Sequence, residues 1–198
     1  MDLNLVNRRE IHQYLGIRSG GPDAQTAELI EDCLKELNEK IEPKHVFRTV
    51  PLRFTDVQGD AQMIDLDVFQ TSSRDLARNL AGCTEAILFA ATIGQGADFI
   101  IRKYEKTRMS RAAVCQAAAA AMIEAYCNEL NDAWKREYAA QGRKLRPRFS
   151  CGYGDFPLAC QTDFMRVLDM EKRIGVHLTE GLLMVPTKSV TAVIGIGT

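Results

Sequence analysis

Ser110 to Tyr138 reads SRAAVCQAAAAAMIEAYCNELNDAWKREY, and the fold of the chain turns on it. Alanine is the strongest helix former, so the composition predicts a helix over residues 110–140, opened at Ser110 and stopped by Gly142. Small side chains lie on several of its faces, which lets neighbouring elements approach closely from more than one side. Such a helix belongs at the centre of a domain.

Upstream, Glu85 to Thr92 carries Ala-Ile-Leu-Phe-Ala-Ala without polar alternation, which predicts a strand covered on both faces. Ile93-Gly94-Gln95-Gly96-Ala97 then leads into a helical segment ending near Lys106. Strand, glycine loop and helix follow each other as in a phosphate cradle, but neither a full Gly-x-Gly-x-x-Gly nor a Gly-Lys-Ser/Thr is present, so nucleotide binding is not expected there. Earlier still, His45 to Phe54 is rich in β-branched and aromatic residues, and Ile64-Asp65-Leu66-Asp67-Val68 alternates as a half-buried strand, with a turn at Gln58-Gly59-Asp60 between them. The alternation puts Asp65 and Asp67 together on the wet strand face, a poorer place for acid/base or metal chemistry than a cleft. Thr71-Ser72-Ser73-Arg74-Asp75 has capping-box spacing from Ser72 to Asp75 at the start of a short helix through Leu80, closed by Gly82. At the N-terminus, residues 4–15 suggest a short helix or arm. Pro22-Asp23 opens a helix whose Ala27, Ile30, Leu34, Leu37 and Ile41 form one seam, ended by Pro43.

Downstream of the central helix, residues 148–161 read RFSCGYGDFPLACQ. Gly152 and Gly154 frame Tyr153, so the backbone there can adopt dihedrals closed to other residues, and Arg148 offers a planar fork suited to a carboxylate or phosphate. A ligand loop and a tight turn with Tyr153 packed on the core both fit this composition. A further helix carries Phe164, Val167, Leu168 and Ile174 on one face, with Thr162 or Asp163 as its cap and Gly175 as its stop. Residues 176–195 predict two strands joined by a turn at Pro186-Thr187-Lys188. Helices and strands mixed without βαβ regularity point to an α+β fold.

The totals exclude several classes. At 198 residues and 46% hydrophobic content the chain suits one domain with one core, and a net charge of -1 argues against a nucleic-acid partner. No apolar leader or membrane span is legible, so a cytoplasmic protein is expected. The six cysteines form no Cys-x-x-Cys pair, which suits reduced, buried thiols and no metal site. Cys151 stands out only by preceding Gly152.

Set beside Arg148-x-x-x-Gly152-Tyr153, the segments Arg173-Ile-Gly-Val-His-Leu-Thr-Glu180 and Met184-Val-Pro-Thr-Lys-Ser189-Val make the C-terminal third similar to the activation domain of cobalamin-dependent methionine synthase. The resemblance spans about residues 110–195. That domain is ordinarily the last module of a large enzyme, so the chain looks like a free-standing version: a single domain over 1–198, with an N-terminal helical region over 1–44 and an activation-domain-like core over 45–198. The resemblance implies a mainly antiparallel twisted sheet packed with helices around a long alanine-rich one. It also implies S-adenosylmethionine in a shallow groove, with Arg148, Ser150, Cys151, Gly152 and Tyr153 as binding residues: Arg148 on the ligand carboxylate, Ser150 through its backbone, and Tyr153 beside the corrinoid. Cys151 and Gly154 stand where the family usually has prolines. The implied role is reactivation of a cobalamin enzyme by reductive methylation of cob(II)alamin, catalytic only in complex. The corrinoid would come on a partner, since Asp-x-His-x-x-Gly is absent, and the electron from a flavodoxin-type or iron-sulfur protein. The competing expectation is a docking or capping module that binds no S-adenosylmethionine. An independent methyltransferase is disfavoured by the lack of a Rossmann glycine loop.

Overall fold

The computed structural model describes residues 1–18, 20–55 and 63–198; the expected turn at Gln58-Gly59-Asp60 lies outside the described residues. Helices α1 (Arg8–Tyr14) and α2 (Ala24–Asn38) precede strands β1 (Lys44–Pro51), β2 (Arg53–Thr55), β3 (Met63–Asp65) and β4 (Gln70–Ser72). After α3 (Arg74–Asn79), the long strand β5 (Cys83–Thr92) leads to α4 (Gln95–Glu105) and to the 32-residue α5 (Met109–Ala140). There follow β6 (Lys144–Leu145), α6 (Gln161–Leu168), α7 (Met170–Ile174), the short strands β7 (His177–Leu178) and β8 (Met184–Val185), and β9 (Ser189–Gly197).

The main sheet has the order β1-β5-β9-β6 with every pairing antiparallel. Helices cover both its faces, which explains the missing alternation in β5. Ile87, Phe89 and Ala91 face a core shared with α1, α2, α4 and α5, whereas Ala86, Leu88 and Ala90 face a second core with α3, α6 and α7. The central helix is where composition puts it. Ala118, Ala119 and Ala121 are fully buried, and Trp134 wedges between Phe89 and Phe47 with ring centroids 5.3 and 5.1 Å away. Burying an aromatic the size of Phe89 contributes about 2–3 kcal/mol. Residues 1–44 pack into the first of these cores through Ile11, Ile30, Leu34 and Leu37. Among the described residues, no helix is long and apolar enough to cross a membrane.

Several local expectations need correction. The central helix begins at Met109, so Ser110 lies inside its first turn and does not cap it. α3 is capped by Ser73, not Ser72: the Ser73 hydroxyl accepts from Leu76 N at 3.0 Å. Asp65 ends β3, and Asp67 sits beyond it at φ 65°, its N–H bonded to Asp65 Oδ1 at 2.8 Å; the two carboxylates make a turn rather than share a strand face. Neither Thr162 nor Asp163 caps α6, because a single 3-10 turn over Leu158–Cys160 runs straight into it. The helix expected to continue to Gly175 breaks at Asp169, which takes the left-handed conformation (φ 50°) that a short polar side chain tolerates. Gly175, also left-handed, stops α7 as expected. The two C-terminal strands are not one hairpin about Pro186-Thr187-Lys188. β7 pairs with β8, and the long apolar β9 leaves them to lie between β5 and β6, the position that covers both its faces.

The glycines after β5 are there for packing. A Cβ on Gly96 would stand 1.9 Å from Lys40 O and one on Gly94 3.3 Å from Glu42 O, so α4 can start only because both lack side chains. No phosphate is needed to explain that motif.

Candidate functional site

After β6 the chain continues along β9 as the outer edge of the main sheet. Arg146 N donates to Gly195 O at 2.8 Å, and Phe149 exchanges two 2.9 Å bonds with Val193. Phe149 turns its ring into the second core beside Phe156. Strand alternation sends Arg148 to the other face, toward α5. There Glu124 and Asn128, four residues apart and so on one helix face, receive it. Arg148 Nη2 lies 3.0 Å from Glu124 Oε2 and donates to Asn128 Oδ1 at 2.8 Å, with 20% of the arginine side chain and 38% of the glutamate exposed. The neighbouring Cys127 thiol is pushed up to about 12 by burial, so it remains neutral beside the guanidinium.

Because Phe149 uses both its backbone groups on Val193, the pairing geometry turns those of Arg148 and Ser150 to the free edge. Ser150 O accepts from Tyr153 N at 3.2 Å, while Ser150 N–H has no hydrogen-bond partner among the described residues. The loop then closes on itself: Gly152 N donates to Phe156 O at 2.9 Å and Phe156 N to Tyr153 O at 3.1 Å. Buried Cys151 and Phe156 pin its two ends. Burial raises the Cys151 thiol to about 12 and the Cys160 thiol in the same direction, so both are packing groups rather than nucleophiles. All six cysteines are free and buried.

Tyr153 is 70% exposed, its ring held edge-on to Phe149 at 5.5 Å. Of the two arrangements the composition allowed, the one with the ring packed in the core is therefore excluded. Gly152 is left-handed (φ 83°), and a Cβ there would stand 3.1 Å from Leu158 Cδ1, so Leu158 occupies the room the glycine leaves. Gly154 is left-handed too (φ 56°), with its missing Cβ 2.5 Å from Asp75 Oδ2.

The structure thus gathers Arg148, Ser150, Cys151, Gly152 and Tyr153 around one strand end. Arg148 and Tyr153 flank it on opposite faces, Ser150 presents backbone at the edge, and Cys151 points inward. Sequence reasoning points to Glu124 only as one of the central helix's residues, with Glu129 and Tyr126, that could border a pocket; it does not pair Glu124 with Arg148, and it misses Asn128, which is remote in the chain, and Asp155, which the quoted stretch contains but nothing local singles out. A guanidinium beside a carboxylate and an amide complements the two charges of an amino acid zwitterion. A recess of about 610 Å³ lies where β1 and β9 begin, lined by Lys40, Lys44, Gly94, Phe99, Lys103 and Pro186 among others, and contains none of these five residues. Lys44 there is paired with Glu42 at 3.2 Å and Lys103 with Glu36 at 3.3 Å. Among the described residues, no three His, Cys, Asp or Glu side chains are grouped to hold a metal.

Comparison with known proteins assigns the lineage. No curated protein matches the chain. Among solved structures, the MetH reactivation domain bound to AdoHcy superposes with a TM-score of 0.70 at 18% identity, over 97% of this chain and 74% of that one, which establishes a common fold. The family profile described as "Vitamin B12 dependent methionine synthase, activation domain" matches residues 73–197, from the cap of α3 to the last residue of β9. The match takes in α3, β5 and α4 as well as the stretch beyond residue 110, and the chain belongs to the vitamin B12-dependent methionine synthase activation domain family.

Proposed function

We propose that the chain is a reactivation component that holds S-adenosylmethionine on the edge of its sheet and presents the methyl group to a cobalamin carried by a partner. One observation carries this reading: a free strand edge at Ser150, flanked by the Arg148–Glu124 pair on one face and an exposed tyrosine on the other. Arg148 takes the ligand carboxylate, Glu124 its ammonium, the Ser150 N–H a polar group of the nucleoside, and Tyr153 borders the corrinoid. Cys151 and Gly152 contribute shape and backbone. The solved domain of the same fold was crystallised with AdoHcy, the product such a transfer leaves, and this supports the choice of ligand.

The chemistry asks little of the protein in proton transfer. One electron from a reductase takes Co(II) to Co(I); its electron pair then forms the Co–CH3 bond as the S–CH3 bond breaks, and the former sulfonium leaves as neutral S-adenosylhomocysteine. The methyl group is already activated, so the contribution is to place it in line with the metal and to exclude water. An open site suits this, because the cobalamin closes it from the other side. We take the electron donor to be a flavodoxin-type or iron-sulfur protein and the chain to act as one domain, with 1–44 as an N-terminal helical region and 45–198 as the activation-like core.

The test is a reactivation assay with a corrinoid protein in the Co(II) state, a low-potential chemical reductant and S-adenosylmethionine labelled on its methyl group. Labelled methylcobalamin that forms only when this chain is present supports the proposal. Equal formation without it favours a docking or capping module.

A further inference from the structure

Tyr153 stands clear of the core, so its position depends on the backbone of residues 150–156. The internal bonds of that loop are short-range, and two buried side chains fix its ends. The remaining anchor is Asp155. Its carboxylate accepts from the Ser73 hydroxyl, from Arg74 N at 2.8 Å and from Asp75 N at 3.1 Å, all at the start of α3. These are amides that a helix start leaves without partners, and here a residue some eighty positions away in the chain satisfies them. The same contact brings the Gly154 backbone against the Asp75 side chain, where a Cβ would stand 2.5 Å from Oδ2.

We propose that Asp155 is a positioning residue of the methyl-donor site: by bridging the loop to α3 it holds Gly152 and Tyr153 in their binding geometry before any ligand arrives. Preorganisation of this kind removes an ordering cost from each binding event. The assignment rests on the proposed function. The bridge itself is independent of it, being made entirely between residues of this chain. Ser73 and the Arg74 N–H hold the Asp155 carboxyl below the usual carboxylate range, so the bridge stays charged through the physiological pH range.

Three variants separate positioning from simple helix capping. Asp155→Ala removes every contact, and Asp155→Asn keeps the shape but not the charge. Arg74→Pro puts the ring Cδ where the N–H meets Asp155 Oδ2, so it removes that hydrogen bond and displaces the carboxylate without altering Asp155 itself. Proline suits that first helical position, and the extended Ser73 before it (φ −161°, ψ 124°) tolerates it, so α3 should persist. Two quantities are read: amide exchange at Gly152, Tyr153 and Phe156 in the free chain, and calorimetric affinity for S-adenosylhomocysteine. We expect exchange to rise about tenfold in all three variants. Affinity should fall about tenfold in Asp155→Ala and about threefold in the other two, with the melting temperature of Arg74→Pro within about 2 °C of the parent. Unchanged loop exchange and affinity in Arg74→Pro and Asp155→Asn would reduce Asp155 to a cap of α3 and overturn the proposal. If the parent chain binds no S-adenosylhomocysteine while loop exchange still rises in the variants, the functional reading fails, and the assignment falls with it although the bridge is real.

Discussion

Arg148 is held between Glu124 and Asn128, which fix the orientation of its guanidinium. Arg148→Ala should weaken S-adenosylmethionine binding about tenfold or more in a calorimetric titration, since a charge-assisted pair to the ligand carboxylate is lost. Its cost to folding should stay below about 1 kcal/mol, because the Glu124 side of the pair is 38% exposed. Gly154→Ala does the reverse. A Cβ at φ 56° and 2.5 Å from Asp75 Oδ2 should cost about 1–2 kcal/mol in denaturant unfolding, since left-handed strain adds to the displaced side chain. At this scale the sequence was half legible. The composition of residues 148–154 marked a shaped loop and an anion-binding cation. It could not show that Leu158 fills the space beside Gly152, which depends on how the loop folds back on itself, or that the counter-charge of Arg148 comes from a helix 24 residues earlier, which depends on how distant segments cross.

Helices and strands with a strong internal pattern are legible in the sequence, as are the short helices α1 and α3, whereas the two-residue strands are not. α5 and β5 carry enough alanine or apolar length that tertiary context has little to override. β7 and β8, two residues each, carry no periodicity of their own, and Asp169 breaks a helix whose apolar pattern runs on unbroken. Ala118 of α5 is fully buried, and Ala118→Leu should destabilise the fold by about 1–3 kcal/mol, read from the denaturation midpoint. α2, α4 and α5 also meet at a charged node on Glu36. Burial pushes the Glu36 carboxyl up, but hydrogen bonds from Arg111, Tyr104 and Lys103 outweigh it and leave the group below its ordinary 4.5. A depressed carboxylate contributes stability above about pH 4.5 that is lost as pH falls through its folded value. Glu36→Gln should therefore cost about 1 kcal/mol at neutral pH, and the gap to the parent should close below pH 4.5 in a stability–pH profile.

For the whole molecule, the α+β class and the antiparallel sheet follow from the order of elements and the family resemblance, and the unalternating β5 implies cover on both faces, while which helices clad which face emerges only from packing. A sheet clad on both faces leaves its β6 edge as a place where a ligand can meet backbone, and that edge carries the candidate site. With no Asp-x-His-x-x-Gly in its sequence, the chain alone should retain no cobalamin through gel filtration, and a corrinoid absorbance co-eluting with it would contradict the division of labour proposed here. The central claim is that the Ser150 edge between Arg148 and Tyr153 holds a methyl donor. Calorimetric titration of the purified chain with S-adenosylmethionine, beside Arg148→Ala, tests it most directly. Saturable one-to-one binding that the substitution weakens about tenfold or more is the result this account predicts. No binding, or binding that Arg148→Ala leaves unchanged, would contradict it.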